Sequence, residues 1–356
     1  MRRFYSRPIS RKAIENRGIS GGEAFLENSD LHKAITPAAA LVGVVIVNWN
    51  GWQHTLAACQ SLEQSTYRAL KIIVVDNASS DDSLAQLRGR LPGIELIAHP
   101  VNAGFAGGCN VGMTRARELG CDYIFLLNND ALVDSQTVAR LVAASKAKND
   151  SALLGSAVLH AATGDYQFFG ARAAALRDMH DWYTAETDGA LLHQDFIESD
   201  FILGAALFIP TRALDRTGPF DERFFLNFEE TDLCYRARAL GIPSFVVPAS
   251  RVLHHASTTL GAYNAPLQVY FLTRNGLLFA KLHGTGEQHR RVLAARLADL
   301  YWSLRKSWEA GRLMDLPTRA RARAFWDYGL RRFGDCPPAI RRYDARTRAA
   351  LLAKRA

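Results

Sequence analysis

Short apolar runs that stop at polar clusters recur along the first 130 residues. Residues 41–47 (LVGVVIV) are a near-continuous β-branched run ahead of Asn48-Trp49-Asn50-Gly51, and a segment of helical period follows to Leu62. Residues 71–75 (KIIVV) repeat the pattern and end in DNASSDD (76–82) before another helix. A third strand over 94–98 precedes NAGFAGGCN (102–110) and a helix reaching about Leu119. The fourth run, YIFLL (123–127), stops at Asn128-Asn129-Asp130. Buried parallel strands read as continuous apolar runs, so strand, polar loop and helix in alternation predict an α/β fold: a Rossmann-like, mostly parallel sheet flanked by helices. Each polar loop then leaves the carboxyl end of its strand, where open sheets of this kind bind ligands.

The pattern loosens after residue 150. Residues 155–200 mix glycine, aromatics and charge and suit a variable, acceptor-facing insert. A further buried strand is expected over 201–209 (FILGAALFI), followed by FFLNFEETDLCYRAR (224–238) and the cluster VVPASRVLHHASTT (246–259). In the helix after residue 228, Asp232 and Arg236 stand four apart as a supportive pair, and Asn227 with Glu230 fits a capping box.

Composition then bounds the chain. At 356 residues and 48% hydrophobic it can bury a full core and carry an appendage. Residues 1–40 are polar and weakly periodic, an extension rather than a domain. The net charge of +8 is uneven: residues 287–356 hold 17 Lys and Arg against 7 Asp and Glu, so the rest is slightly acidic. Trp302, Trp308, Phe325, Trp326, Tyr328 and Phe333 are interleaved with those charges. Two readings stand side by side: a surface for an anionic membrane, or amphipathic helices packed on the domain with solvated arginines outside. Five dispersed cysteines point to a reducing cytoplasm. No stretch approaches the ~20 apolar residues of a membrane span, and the start MRRFYSRP lacks the apolar core of a signal peptide.

The polar loops carry the candidate chemistry. Asp130, ending a buried strand beside Asn128 and Asn129, offers oxygen ligands to a hard cation, Mg2+ or Mn2+, completed by substrate phosphates and water. A turn that merely caps a helix near Ser135 is the plainer alternative. Asp76 can accept from a uracil or thymine imide or from ribose hydroxyls, or serve as a turn residue. Gly104, Gly107 and Gly108 at a helix start let backbone N–H groups approach a nucleotide. The dinucleotide glycine spacing and the phosphate-loop Lys-Ser/Thr pattern are absent, which disfavours dehydrogenases and phosphate-loop ATPases. Glu229, Glu230 and Asp232 crowd one helix mouth after aromatic residues, where a carboxyl has its pKa raised as a general base requires. One imidazole of His254-His255 at a strand end can complete the metal or contact a diphosphate.

In VVIVNWNG (44–51), VVDNASSDDS (74–83), NAGFAGGCNVG (102–112), YIFLLNNDA (123–131), FILGAALFIP (201–210), GPFDERFFLNFEETDLCYRARALG (218–241) and RVLHHAST (251–258), the chain resembles family 2 glycosyltransferases of the rhamnosyltransferase-like branch. Tyr270 and Arg274-Asn275 resemble that family's following helix. The resemblance implies a glycosyltransferase A fold over 41–282, with a nucleotide-sugar half (41–131), an acceptor and catalytic half (132–282), and a basic helical region at 283–356. It implies that Asp76 holds the nucleotide base, and that Asn128 and Asp130 occupy the first and third positions of the Asp-x-Asp metal motif. Glu229-Glu230 then stands at the family's Glu-Asp pair, the second acid being the base, and His254 or His255 helps hold metal or diphosphate. The candidate donor-binding residues are Asn48, Asp76, Asn77, Asn102, Gly104, Phe105, Asn128 and Asn129. Asn128 replaces a carboxylate, which leaves Asp130 as main ligand, and Glu230 replaces the commoner Asp, which leaves Asp232 as a rival base.

With no second carboxylate placed as a glycosyl nucleophile, single displacement with inversion is expected. The implied donor is a dTDP- or UDP-sugar, with dTDP-rhamnose favoured by the branch; the acceptor is a hydroxyl of a lipid-linked or cell-surface glycan. A sugar nucleotidylyltransferase would want an N-terminal triphosphate loop with Arg and Lys, which residues 47–51 lack. A basic polyanion-binding protein would leave the polar loops of 76–255 unexplained, and no nucleic-acid partner is expected.

Overall fold

The first three strands rise in parallel; the first and most of the second are deeply buried, while the third forms the edge. The computed structural model describes residues 39–173, 180–255, 265–311 and 313–344. The expected extension over 1–40 lies outside these but for its last two residues, as do residues 256–259 of the histidine cluster and 345–356 of the basic region. From Ala40 onward the chain forms one compact unit.

The order begins β1 (Val42–Asn48), α1 (Trp52–Glu63), β2 (Leu70–Asn77), α2 (Ser83–Arg90), β3 (Glu95–His99), α3 (Gly104–Glu118) and β4 (Tyr123–Leu127). β1 pairs in parallel with both β2 and β4, and β2 with β3, giving the order 3-2-1-4. The chain thus steps outward from β1 on one side and returns on the other, so a crevice opens where the loops after β1 and β4 diverge. Val42, Val44, Val45 and Ile46 are buried throughout. At about 1.5–3 kcal/mol for each fully buried aliphatic side chain, such strands anchor the loops at their ends. α3 lies unusually close to β1, because a Cβ at Gly112 would sit 2.2 Å from Val45 Cγ1.

The second half follows as β5 (Ala131–Val133), α4 (Thr137–Ala147), β6 (Leu153–His160), β7 (Tyr166–Phe168), β8 (Ala171–Ala173), β9 (His180–Trp182), α5 (Ala185–Asp188), β10 (Ile197–Glu198), β11 (Ala206–Pro210), α6 (Thr211–Thr217), α7 (Glu229–Ala239) and β12 (Ser244–His254). β11 runs antiparallel between β4 and β6, and β12 joins β6 in parallel, completing a ten-stranded mixed sheet with β10 and β3 at its edges. β8 and β9 pair separately. The apolar run 201–209 therefore splits: only Ala206–Pro210 is strand, while a turn closed by Ala206 N–H to the Leu203 carbonyl (3.1 Å) carries the preceding residues. Phe201 and Ile202 are buried there without a ladder, so burial rather than strand pairing explains their hydrophobicity.

α8 (Pro266–His283), α9 (Gly286–Glu309) and α10 (Leu316–Gly329) close the described chain. α8 is buried along most of its length, and α10 packs against it. The aromatics of the basic region divide: Phe325, Tyr328 and Phe333 pack onto apolar clusters with α8, whereas Trp302, Trp308 and Trp326 face solvent. No helix of the described residues is long and apolar enough to cross a membrane, and all five cysteines are free and buried.

Candidate active site

The cleft lies over the carboxyl ends of β1, β2 and β4. It encloses about 900 Å3 including its open mouth. Asn77, Asn102, Gly104, Phe105, Asn128, Asn129, Asp130 and His254 of the sequence-derived candidates line it. Asn48 and Asp76 do not; they form its buried support. Asn48 Nδ2 donates to Asp76 Oδ1 (2.8 Å) and to Ser79 Oγ (3.1 Å), Thr55 Oγ1 donates to Asn48 Oδ1 (2.7 Å), and Ser79 N–H and Oγ–H donate to Asp76. These bonds weld the loops after β1 and β2 into one rigid wall.

Asn77 continues that wall toward the glycine loop. Its amide donates to the Gly104 carbonyl (2.9 Å) and accepts from Ala103 N–H (3.1 Å). Of the three glycines of that loop, only Gly104 meets the cleft. Its φ of +73° requires glycine, and an added Cβ would come 2.3 Å from the Phe225 carbonyl. Gly108 serves packing instead, since a Cβ there would strike Val47 at 2.8 Å.

Asp130 meets His254 because β5 and β12 pair with Ala131 opposite His254. Asp130 Oδ1 lies 3.1 Å from His254 Nε2, and Asn128 Nδ2 lies 3.2 Å from the same nitrogen. His254 Nδ1 contacts Gln167 Oε1 at 2.9 Å, an acceptor that fixes the proton on Nδ1 in the neutral ring. Nε2 then faces both the Asp130 carboxylate and the Asn128 amide. Burial raises the Asp130 carboxyl, but the hydrogen bond and charge of His254 outweigh it and hold it below the usual carboxylate range. Among the described residues no three His, Cys, Asp or Glu side chains converge on one point. One carboxylate and one imidazole fit a divalent ion that takes its other ligands from a diphosphate and water. His255 is exposed beside His54, with ring centroids 5.8 Å apart.

The three acids are treated differently. Asp232 is buried, its Oδ2 accepting from Arg236 Nε (2.8 Å) and its Oδ1 2.7 Å from His283 Nε2, so both oxygens are engaged. Glu229 is buried and Glu230 half-buried, and each has a solvent-excluded Oε2 with no hydrogen-bond partner. Burial, reinforced by the neighbouring Glu230, pushes the Glu229 carboxyl well up; burial raises Glu230 too, opposed by the N–H groups of Glu230, Gly204 and Thr231. A Cβ on Gly204 would lie 3.4 Å from Phe105 Cε1 and 3.7 Å from the Glu230 carboxyl, so Glu230 sits beside an aromatic wall of the cleft.

The capping box read from Asn227 and Glu230 is not formed. The helix begins at Glu229 after Phe228 in the left-handed region, with no side-chain cap. Phe225, Asn227 and Phe228 all have positive φ, and none is glycine. α8 holds this loop in place. Asn275 Nδ2 donates to the carbonyls of Phe224 (2.7 Å), Leu226 (2.8 Å) and Asn227 (3.0 Å), and Arg274 Nη2 to those of Arg223 and Phe224. Tyr270 links Arg274 to Asp327 of α10, its hydroxyl donating to Asp327 Oδ2 at 2.9 Å. Sequence reasoning noted Tyr270, Arg274 and Asn275 without assigning this clamp. It passed over Gln167, which nothing local in the insert marks, and Trp49, Phe225, Phe271 and Arg341 of the cleft lining.

Residues 43–197 match the profile of Glycosyl transferase family 2. The chain carries a family 2 glycosyltransferase domain. It is thus a nucleotide-sugar-dependent glycosyltransferase. An N-acetylglucosaminyl-diphospho-decaprenol L-rhamnosyltransferase of Mycobacterium tuberculosis is 24% identical over 242 residues, spanning 61% of this chain and 77% of the relative. The dTDP-rhamnosyl transferase RfbF of Shigella flexneri is 23% identical over 252 residues, 67% of this chain and 79% of its own. Both of these relatives are rhamnosyltransferases by name. Among solved structures, the mannosyltransferase PcManGT from Pyrobaculum calidifontis, in complex with GDP-Man and Mn2+, superposes with a TM-score of 0.52 at 17% identity, covering 89% of this chain and 80% of that one. GalNAc-T7 with UDP, GalNAc and Mn2+ gives 0.50 at 18% identity, over 72% of this chain and 55% of its own length. The fold is glycosyltransferase A.

Proposed function

We propose that this glycosyltransferase moves rhamnose from dTDP-rhamnose to a hydroxyl of a lipid-linked or cell-surface glycan, with inversion at the anomeric carbon. The observation that carries the reading is the Asp130–His254 pair in a cleft that Phe105 also lines, with the carboxyl of Glu230 close to Phe105 across Gly204. The rhamnosyl donor and lipid-linked acceptor are supported by the two bacterial relatives named above.

Asp130 and His254 would hold Mg2+ or Mn2+ together with the diphosphate. The bound ion supplies positive charge for the leaving nucleoside diphosphate. Asn77, Asn102 and Gly104 shape the wall against which the nucleotide lies, and the Asn48–Asp76–Ser79 network keeps that wall rigid. Glu230, ionised, takes the proton of the acceptor hydroxyl as its oxygen bonds to the anomeric carbon and the bond to the diphosphate breaks on the opposite face. Asp232 is committed to Arg236 and His283, which favours Glu230 as the base. Glu229 beside it is buried, and burial together with the charge of Glu230 pushes its own carboxyl well up.

The test is binding of dTDP, UDP and their sugars with and without Mg2+ or Mn2+. Metal-dependent binding that Asp130→Ala weakens at least tenfold is expected; no nucleotide binding by the native protein refutes the reading. A product with retained anomeric configuration would refute inversion.

The acceptor side includes an anionic membrane surface. On α9, Leu297, Tyr301, Leu304 and Trp308 recur at helical spacing and are exposed, Trp308 by 75%, with Trp302, Arg305 and Lys306 beside them. Exposed aromatics among cations are the residues that settle at a membrane interface. Trp302→Ser with Trp308→Ser should abolish binding to vesicles containing phosphatidylglycerol while nucleotide binding persists. Unchanged vesicle binding removes the proposal.

A further inference from the structure

One side chain of the cleft comes from the far end of the described chain. Arg341 follows α10, some 210 residues beyond Asp130, yet it lines the same cleft as Asn77, Asn102, Gly104 and Asp130. Among the described residues that line the cleft it is the one Lys or Arg. Its guanidinium carbon lies 5.6 Å from the ring centre of Trp49, in the loop after β1, and 5.8 Å from that of Phe225, in the loop before α7. Nη2 also pairs with Asp335 Oδ1 at 2.6 Å, an exposed contact.

A guanidinium lying over aromatic rings is oriented while its N–H fork stays available, and such forks match phosphate geometry. Asp335 holds it through a single oxygen in a solvent-exposed pair, a weak contact that a diphosphate carrying more charge displaces. Asp130 and His254, with a cation, present positive charge from one direction only; the diphosphate of a nucleotide sugar has a second set of oxygens to neutralise. We infer that Arg341 binds the donor diphosphate, so that the segment after α10 completes the nucleotide site. The inference rests on the glycosyltransferase reading and deepens it. It also gives the C-terminal region a share in donor binding, separate from the membrane face of α9.

The competing role is that of a pin, in which Arg341 only fastens its segment to Trp49 and Phe225. The two roles part when ligands with and without phosphate are compared. Binding of UDP and dTDP, and of uridine and thymidine, is measured with Mn2+ present on the native protein, Arg341→Ala, Arg341→Lys and Asp335→Ala, with Tm recorded for each. Arg341→Ala should weaken both diphosphates about ten- to a hundredfold, the worth of a charge-assisted contact, and leave the nucleosides unchanged. Arg341→Lys should recover part of the loss, since it keeps the charge and loses the planar fork. Asp335→Ala frees the guanidinium without altering it and should leave diphosphate binding equal or tighter, which serves as the test should Arg341→Ala fail to fold. Equal weakening of nucleosides and diphosphates, unchanged diphosphate binding by Arg341→Ala, or weakened diphosphate binding by Asp335→Ala overturns the inference alone. Failure of the native protein to bind either diphosphate overturns it together with the reading beneath it.

Discussion

Asn48 and Asp76, behind one wall of the cleft, are as deeply buried as Glu229 at the mouth of α7, yet the two groups are built on opposite terms. Asn48, Thr55, Asp76 and Ser79 satisfy one another, although the loops they join also pass through the left-handed region at Asn50 and Ala78. Glu229 and Glu230 each keep a buried oxygen with no partner, at a helix entered through left-handed residues with side chains. A buried polar atom without a partner costs about 1–3 kcal/mol, and so does each left-handed residue other than glycine. The donor wall is a scaffold at rest. The acid loop holds its carboxyls in a state that favours taking up a proton, and the rest of the molecule supplies the stability to keep it so.

The largest effect expected from this contrast is on Glu230. Glu230→Gln keeps the shape and removes the base, so transfer should fall by about 10²–10⁴-fold while binding of the nucleotide diphosphate stays within a few-fold. The native rate should rise with pH as Glu230 gives up its proton, above the ordinary carboxylate range because its pKa is raised by burial. Stability should move the other way. A carboxyl whose pKa is higher folded than unfolded contributes stability below its unfolded value of 4.5, and that contribution is lost as pH rises through the folded value. Glu230→Gln, free of that loss, should match the native Tm near pH 4.5 and exceed it at neutral pH. A variant with native transfer activity would move the base elsewhere, and a native Tm advantage at neutral pH would mean the carboxyl is better solvated than its position indicates.

The same contrast marks what the sequence could disclose. β1, β2 and β4 were legible because each is an apolar run largely buried in the sheet, and the shorter edge strand β3 by its place in the same alternation; the residues that end or follow these strands, Asn77, Asn102, Asn128 and Asp130, fall on the cleft by strand geometry alone. The meeting of Asp130 with His254 depends on a β5–β12 register across more than 120 residues, which no local pattern encodes. Gln167 is an ordinary polar residue in a short strand until that register places it beside His254. Asn227 and Glu230 have the spacing of a capping box, but the spacing presumes an extended residue ahead of the helix, and here the backbone arrives left-handed. Arg341 looked like one more charge in a basic tail; its role depends on where the turn after α10 returns.

A smaller effect, on stability rather than chemistry, tests why the left-handed backbone persists at all. Asn275 is buried, and its one amide nitrogen reaches three carbonyls, those of Phe224, Leu226 and Asn227, which surround the positive-φ residues. No sequence of turn-favouring residues holds this loop, because Phe225 and Phe228 are poor choices for the left-handed region. The clamp therefore has to come from outside, and Arg274, stacked against Tyr270 and Phe271, supplies the rest of it. At about 1 kcal/mol for each hydrogen bond, with the carbonyls left short of donors, Asn275→Ala should cost about 2–4 kcal/mol in denaturant unfolding. Cutting the Asn48–Thr55 bond with Thr55→Val, where a single pair is lost, should cost about 1–2 kcal/mol. If the two variants proved equally mild, the loop would be stable by its own preferences and the acids at its end would owe nothing to α8. A cost for Asn275→Ala clearly above that for Thr55→Val would show that the reactive carboxyls are held by α8, which makes that helix part of the catalytic apparatus.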